Sequence, residues 1–307
     1  MPWQELLQRE IFRPAGMTRT TATMSDARRA GWTVAQGYAS GLPEGRMRIS
    51  LMKVDATMQS AGGLVMSAND AVKWLELMAN DGKVGGRQVV AAAAVRATRA
   101  NPVQTGETRA DDFGADRYAL GWNIGRYGAD DIFFHYGGFA GFRAHVSYIP
   151  ARRIGVAVFV NDSAVGGRLG DALAKAIYAR LTGDAGAAQA FDLTVASLVE
   201  AAAKGREQVR ADREKRAQRP WTLSRPRADY AGTYRSPAFG ELVIRNDGEE
   251  LFVELGQMKS RAEPFTQPDT VRVELVPLSG TVVGFEMGAD GKPAAVRYMD
   301  ARFERVR

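Results

Sequence analysis

The sequence contains no cysteine, so disulfide bonds, thiolate catalysis and cysteine-ligated metal sites are all excluded. This absence leaves the redox compartment open, because a cysteine-free protein functions in oxidising and reducing surroundings alike. Long apolar runs are lacking too, and no stretch approaches the roughly 18 apolar residues that a membrane-spanning helix needs. Residues 1–10 mix polar and charged side chains with apolar ones, so we do not interpret them as a signal peptide.

A motif for reading nucleic acid is also missing, although the chain is basic, with a formal net charge of +6 and a pI of about 9.6. Many of the basic residues lie between Lys204 and Arg219, where Glu207, Asp212 and Glu214 interrupt them. Aromatic side chains are not interleaved with these charges, as they are in many nucleic-acid-binding segments. The pattern indicates a solvated helix face, and we predict no nucleic-acid partner.

The chain does contain enough apolar material for a sizeable core. Of its 307 residues, 45% are hydrophobic and 25% are charged, which is typical of a soluble globular protein. On a prior of about 150 residues per domain, the length accommodates two domains. The composition shifts towards alanine and charge between about Ala185 and Pro220, which favours a helical linker. We therefore predict a first domain at residues 1–184, a linker at 185–220 and a second domain at 221–307.

Helical spacing of apolar residues indicates three helices in the predicted first domain. Their stripes are Leu6, Leu7 and Ile11 before Pro14; Val72, Leu75 and Met78 before Gly82; and Leu169, Leu173, Ile177 and Leu181 before Gly183. At the start of the second helix, Ser67 is placed to cap the first turn. Asp70 follows three positions later, which predicts a capping box with Asp in place of Glu.

The strongest strand signal lies between the last two of these helices. Residues 131–136, 143–149 and 155–161 are rich in Val, Ile, Phe and Tyr, and glycines at 137–141 and Pro150 mark the turns between them. We predict three consecutive strands of an antiparallel sheet here. Together with the helices, they place the first domain in the α+β class.

The last 87 residues carry no convincing helical pattern. Glu241–Arg245 and Leu251–Leu255 alternate polar and apolar residues around an Asn246-Asp247-Gly248 turn, which is a hairpin signal. A second hairpin is indicated near Asp290-Gly291. Several short strands with regular turns predict a small barrel or sandwich.

Three short segments stand in a set order along the chain: Phe12-Arg13-Pro14-Ala15-Gly16-Met17-Thr18-Arg19-Thr20, then Ser60-Ala61-Gly62-Gly63-Leu64 with Ser67-Ala68-Asn69-Asp70, then His135-Tyr136-Gly137-Gly138 with Gly141-Phe142, Pro150 and Asn161-Asp162. They are similar to three motifs of the serine β-lactamase-related family, which includes class C β-lactamases, DD-peptidases and esterases. Ala15 stands where the family has Leu. The resemblance covers roughly residues 1–183, and the later Tyr230-Ala231-Gly232-Thr233-Tyr234 looks like the start of a small β-barrel appended to many members.

The resemblance implies a β-lactamase/transpeptidase-like α+β fold followed by a small all-β barrel-like domain. Family members attack a carbonyl with the serine of an S-x-x-K motif, and a tyrosine in a Y-x-N-type motif assists proton transfer. By this resemblance His135 occupies the basic position of the third motif, Tyr136 and Gly137 complete it, and Gly138 is the candidate oxyanion donor. The residues alone leave an alternative, a structural histidine at a strand end.

The nucleophile that the family needs is not recognisable in this chain. In the family, the S-x-x-K and Y-x-N motifs precede the first of the three segments, which leads us to expect that the N-terminal part of the catalytic domain is missing. Ser50-Leu51-Met52-Lys53 is the only S-x-x-K string, and it falls between two family segments without a preceding capping turn. We interpret it as a chance match and expect the chain to be inactive alone.

Three functional hypotheses therefore stay open: a truncated serine hydrolase acting on β-lactams, D-Ala peptides or small esters; a non-catalytic pseudoenzyme; and a binding or assembly module carried by the barrel.

No cofactor is implied. A metal site joining His135 and His145 is disfavoured, because no carboxylates cluster at ligand spacing. A small-molecule or peptide substrate is expected if the missing part completes the site. Family members are often periplasmic or secreted, but the location of this chain is unknown. An uncovered sheet edge and apolar surface would favour self-association, so a homo-oligomer is an expectation.

Overall fold

The computed structural model describes residues 1–106 and 113–306. The chain forms two compact units: unit 1 holds Met1–Gly37 and Lys53–Glu200, and unit 2 holds Tyr38–Met52 and Ala201–Arg307. The domain boundaries inferred from composition, at residues 184 and 220, stay a prediction. Across the described residues, no helix has both the length and the apolar character needed to cross a membrane.

The α-helices among these residues are α1 (Trp3–Leu7), α2 (Met24–Arg29), α3 (Ala68–Ala79), α4 (Ala92–Ala97), α5 (Gly166–Leu181) and α6 (Ala187–Ala217). A π-helical turn, Gln8–Phe12, continues α1 towards Pro14. The helix inferred from the alanine-rich and charged segment is confirmed as α6.

The strands are β1 (Thr20–Thr21), β2 (Tyr38–Leu42), β3 (Gly45–Arg48), β4 (Val65–Met66), β5 (Lys83–Val84), β6 (Arg87–Gln88), β7 (Val103–Gln104), β8 (Ala115–Tyr118), β9 (Asn123–Tyr127), β10 (Asp130–Phe139), β11 (Phe142–Ile149), β12 (Ile154–Val160), β13 (Gly232–Ser236), β14 (Gly240–Asp247), β15 (Glu250–Leu255), β16 (Met258–Arg261), β17 (Glu263–Pro264), β18 (Thr270–Val273), β19 (Thr281–Met287), β20 (Pro293–Tyr298) and β21 (Ala301–Arg305).

Unit 1 is built on a six-stranded antiparallel sheet with the order β12-β11-β10-β9-β8-β7. The three strands predicted between residues 131 and 161 are confirmed as β10, β11 and β12. A two-residue turn, Ala140-Gly141, joins β10 to β11, so that Phe139 lies opposite Phe142 and Phe133 opposite Tyr148. With helices packed on this sheet, the predicted α+β class is confirmed.

The two faces of this sheet support separate apolar clusters, because successive strand residues point to opposite sides. On one face, Phe133 of β10 and Tyr148 of β11 join a cluster that includes Leu75 and Met78 of α3. On the other face, Ile132, Phe134 and Ile149 pack with Ala174 and Tyr178 of α5. Neighbouring residues of β10 therefore serve different sides of the sheet.

Helix α3 begins as predicted, but its capping box does not form. The Ser67 hydroxyl accepts the Asp70 N–H at 3.2 Å. The Asp70 carboxylate does not return to Ser67, because it is buried and accepts the Arg19 N–H at 2.6 Å and the Thr20 hydroxyl at 2.9 Å. It thereby ties two of the motif segments together. Val72, expected in the apolar stripe, is 63% exposed, so that part of the stripe was wrong.

Helix α5 was predicted correctly in position but wrongly in its buried face. Ile177 and Leu181 of the expected stripe are exposed. The side that meets the sheet instead carries Gly166, Gly170, Ala174 and Tyr178. Small residues at four-residue spacing let the helix backbone approach β11 closely, and this close approach outweighs the burial of the larger leucines.

Unit 2 contains a nearly closed barrel, a nine-stranded sheet with the order β16-β15-β14-β13-β21-β20-β19-β18-β17. Its two edge strands are consecutive in sequence and are joined by Ala262, which brings the ends of the sheet together. The interior is filled by buried apolar side chains, among them Tyr230, Tyr234 and Phe303. Both predicted hairpins are present, as β14–β15 and β19–β20, and the predicted all-β barrel-like domain is confirmed.

Candidate active site

The candidate site lies where β10 leaves the core. Its residues 132–134 are buried, whereas His135, Tyr136, Gly137 and Gly138 are all exposed. These are the four residues that the sequence singled out as the third motif. A strand whose backbone is held in a sheet but whose side chains face solvent is a rigid surface along which an extended ligand can lie.

His135 points to the face of the sheet that α3 covers further along the strand, because it alternates in step with Phe133. Its Nδ1 lies 2.7 Å from the Tyr136 carbonyl oxygen. Since a carbonyl oxygen only accepts, the neutral ring must carry its proton on Nδ1, which leaves Nε2 as an acceptor. Within the described part of the chain Nε2 has no hydrogen-bond partner, and Tyr118 contacts the ring edge-on at 6.4 Å. An exposed acceptor nitrogen of this kind suits a general base.

Tyr136 points to the opposite face, where α5 packs. Its hydroxyl, on a side chain that is 40% exposed, lies 3.4 Å from the Asp171 carboxylate of α5. The structure therefore separates the side chains of His135 and Tyr136, although the two residues are adjacent in the motif. Tyr136 and Asp171 also line a cavity of about 260 Å³ together with the first turns of α5.

The two glycines of the motif keep the strand surface flat. A Cβ on Gly137 would lie 3.2 Å from the Ala144 Cβ, and one on Gly138 would lie 3.6 Å from the Arg143 guanidinium. Arg143 in turn donates to the carbonyls of Phe139 and Phe142, which fixes the turn that follows. The motif therefore exposes its backbone on a hairpin whose turn is fixed by hydrogen bonds. A backbone N–H held in a fixed position in this way can donate to an oxyanion.

Beneath Tyr136 lies a buried polar network that sequence reasoning missed. His145 of β11 is only 2% exposed, and its Nδ1 donates to Asp171 at 2.8 Å. In the neutral ring Nε2 then accepts from the Ser147 hydroxyl at 2.8 Å, and the Ser147 hydroxyl lies 2.9 Å from the Tyr178 hydroxyl. Burial raises the pKa of Tyr178, so this phenol stays protonated as the donor at the end of the chain.

The connectivity Asp171–His145–Ser147 is that of a Ser–His–Asp triad, yet Ser147 has no exposed surface. With its oxygen also in contact with Tyr178, the serine cannot meet a substrate in this conformation. We interpret the network as structural. A signal for it was present: His145 and Ser147 alternate on one face of β11, and Asp171 and Tyr178 are two helical turns apart on α5.

The two histidines do not form a metal site together. His135 and His145 point to opposite faces of the sheet, and both nitrogens of His145 already bond to protein groups. Among residues 1–106 and 113–306, no group of three potential ligands is placed to hold a metal ion.

The S-x-x-K string lacks the helix that would align its serine and lysine. Residues 49–54 have no regular secondary structure, so Ser50 and Lys53 do not stand one helical turn apart. The Lys53 ammonium donates to the Gly62 carbonyl and lies 5.1 Å from the Phe139 ring centre. Partial burial lowers the pKa of Lys53. These contacts place the Lys53 ammonium beside the end of β10.

Comparison with known proteins gives a consistent result. A family model described as Beta-lactamase matches residues 1–180. The unguisins hydrolase ungD' of Aspergillus campestris is 27% identical over 309 residues, an alignment that covers 95% of this chain and 56% of that protein. The unguisins hydrolase ungD of Aspergillus violaceofuscus is 27% identical over 172 residues, covering 52% of this chain and 30% of that protein. This chain therefore spans about half, or less, of the length of these relatives.

Among solved structures, the octameric penicillin-binding protein homologue from Pyrococcus abyssi aligns with 100% of this chain and 60% of its own. The TM-score is 0.50 and the sequence identity 18%. At that identity the likeness bears on the fold alone.

Proposed function

The chain belongs to the beta-lactamase family, and from this premise we propose that unit 1 supplies one wall of a serine acyl-transfer site. The expected β-lactamase/transpeptidase-like fold is thereby confirmed. The proposed reaction is hydrolysis of an amide or ester through a serine acyl-enzyme, with β-lactams, D-Ala peptides and small esters as candidate substrates. The single observation that carries the proposal is the exposed end of β10, residues 135–138, projecting from a buried strand.

In this proposal the exposed strand holds an extended substrate by its backbone. The Nε2 atom of His135, an acceptor in the neutral ring, takes up a proton or interacts with substrate charge as the tetrahedral intermediate forms. The backbone N–H of Gly138 is the candidate donor to the oxyanion. The acyl transfer uses side chains and backbone only, so the proposal requires no cofactor. Hydrolysis is favoured over transfer because the two curated relatives are named as hydrolases.

We further propose that the serine and its lysine come from chain that precedes these residues in a longer protein. Two observations support this: Ser50 and Lys53 are not on a helix, and the matched relatives are longer than this chain. The chain as given is then inactive alone. The alternative is a pseudoenzyme that keeps the strand as a binding surface, and the missing Y-x-N motif favours this alternative equally.

The experiment that separates the two is to determine the native transcript upstream of the Met1 codon. We expect an in-frame S-x-x-K followed by a Y-x-N-type motif. The longer protein should then hydrolyse an ester, and His135→Ala should lower kcat/KM by about 100-fold or more, as loss of a proton-transfer group does. Tyr118→Phe, which keeps the ring beside His135, is the matched control. A stop codon directly upstream would exclude the hydrolase and leave the pseudoenzyme.

A further inference from the structure

The lysine of the S-x-x-K string lies beside the strand along which the substrate is proposed to bind. Its ammonium is 5.1 Å from the centre of the ring of Phe139, the last residue of β10. The strand pairs with β11 without a register shift from Phe133 to Phe139, so side chains two residues apart lie on one face. Lys53 and Phe139 are therefore on the same face of the sheet as His135, further along the strand.

The Lys53 ammonium has no counter-ion in the described part of the chain. It donates to the Gly62 carbonyl and forms no ion pair with a carboxylate of residues 1–106 or 113–306. Partial burial lowers the pKa of Lys53, and no neighbouring negative charge offsets this effect. An ammonium has three N–H donors, so the bond to Gly62 leaves two for a ligand. A carboxylate placed here would accept these donors and compensate the charge for its lost hydration.

The backbone that carries Lys53 is held by hydrogen bonds on its C-terminal side. The Thr57 hydroxyl accepts the Val54 N–H at 3.0 Å and donates to the Val54 carbonyl at 2.9 Å. The Asp55 carboxylate in turn accepts the Ser25 N–H at 2.9 Å, which ties this turn to the start of α2. The lysine stem therefore extends from a fixed point, as a residue that positions a ligand must.

The pairing of β10 shows where the reacting carbonyl would lie. Phe139 and Phe142 flank a two-residue turn and form a hydrogen-bonded pair, and such pairs alternate along an antiparallel ladder. The N–H of Gly138 therefore points away from β11. On that side β9 pairs with β10 only as far as Phe134, so no described strand covers Gly138. A carbonyl bound to this N–H would lie between His135 and Phe139 along the strand.

The next step rests on the proposed function. A base that takes up the proton during attack returns it to the leaving group, so the leaving group lies at the His135 end of the strand. The acyl group then extends the other way, towards Phe139. We propose that Lys53 and Phe139 form the acyl subsite, and that Lys53 selects acyl groups that carry a carboxylate. A strand rises about 3.3 Å per residue, so a carboxylate a few bonds beyond the reacting carbonyl reaches the ammonium.

The test compares two nitrophenyl esters as substrates of the longer protein. One is an ester of adipic acid that keeps its second carboxylate free, and the other has a carboxamide in place of that carboxylate. The ratio of their kcat/KM values should favour the charged ester, and Lys53→Met should lower this ratio by about tenfold, as loss of a charge-assisted hydrogen bond does. Lys53→Arg keeps the charge and should keep the preference. Lys83→Met, which removes an exposed charge on β5, is the matched control and should leave the ratio unchanged.

The ratio separates selection of the substrate from a structural role of the lysine. If Lys53 only holds the Gly62 carbonyl, Lys53→Met lowers kcat/KM for both esters equally and the ratio stays the same. A carboxylate supplied to Lys53 by the preceding chain would likewise leave the ratio unaffected by Lys53→Met. Either result would overturn the acyl subsite while the proposed hydrolase stands.

A binding measurement decides the inference if the longer protein hydrolyses no ester, a result that would reject the proposed function by itself. The chain as given, isotope-labelled at its lysine side chains, is titrated by NMR with the monoamide of adipic acid, which carries one carboxylate. The Lys53 signal, assigned by its loss in Lys53→Met, should shift, and its pKa should rise because the bound carboxylate favours the charged form. The uncharged diamide should produce no shift. Equal responses to the two ligands, or none to either, would contradict the proposal.

Discussion

The two histidines of the chain lie on opposite faces of one sheet and differ in almost every contact. His135 is exposed and bonds only to a neighbouring carbonyl among the described residues. His145 is buried, and its ring links the Asp171 carboxylate to the Ser147 hydroxyl. At the scale of single residues, one histidine is thus available to a ligand, while the other holds β11 to α5.

This difference predicts unequal effects of the same substitution. His145→Ala removes the imidazole that bonds to both Asp171 and Ser147 and leaves a cavity in its place; each lost hydrogen-bond partner in such an interior costs about 1–3 kcal/mol. We expect the free energy of unfolding of unit 1 to fall by about 2–4 kcal/mol, measured by urea denaturation with tryptophan fluorescence. His135→Ala is the matched control and should change it by no more than about 0.5 kcal/mol. Equal effects of the two variants would contradict the structural role of His145.

At the scale of elements, the positions of three strands of the six-stranded sheet could be predicted from the sequence, but the packing of α5 could not. Val, Ile, Phe and Tyr in short runs between glycine turns predict strands wherever they occur, so β10, β11 and β12 were found. A helix face made of glycines gives no apolar periodicity, so Gly166 and Gly170 were overlooked in favour of a stripe that ends in the exposed Ile177 and Leu181. Such a face is recognisable only once its partner strand is known.

Two adjacent glycines at the start of α5 test this packing. A Cβ on Gly166 would lie 3.0 Å from Arg143 Cγ, whereas one on Gly167 would meet nothing within 4 Å. Gly166→Ala should therefore lower the free energy of unfolding by about 1–3 kcal/mol through overpacking. Gly167→Ala should raise it by about 0.5–1 kcal/mol, because alanine is the better helix former. Thermal melts followed by circular dichroism measure both, and stabilisation by both variants would refute the close contact with β11.

At the scale of the whole molecule, each unit has its own core and its own electrostatic contacts. In unit 2, the Arg216 guanidinium at the end of α6 is buried and bonds to Glu263 at 2.9 Å. Glu274 nearby has a lowered pKa: burial alone would raise it, but the hydrogen bonds from Arg272 and from the Leu278 N–H, together with the charges of Arg272 and Arg213, outweigh that effect. These ion pairs hold α6 to the barrel within that unit. The composition that predicted a linker helix gave no sign of them, because partners far apart in sequence meet only in the fold.

Only part of the candidate site could be predicted from the sequence, again because residues far apart in sequence meet only in the fold. The motif located His135, Tyr136, Gly137 and Gly138, and the structure places all four on the exposed end of β10. The motif did not reveal that the side chains of His135 and Tyr136 point to opposite faces of the sheet, although the two-residue period of a strand implies it. The Asp70 carboxylate, assigned to a cap, instead joins two motif segments, since a buried carboxylate bonds to whichever donors the fold brings to it.

We propose that this chain carries a wall of the family's site without its nucleophile. The most direct test is intact-protein mass spectrometry after incubation with a penicillin and, separately, with a fluorophosphonate. We expect no covalent adduct with either probe, because Ser147 is buried and Ser50 has no lysine one helical turn away. An adduct on a serine of this chain, abolished by Ser50→Ala or by Ser147→Ala, would contradict the account and assign the nucleophile to that residue.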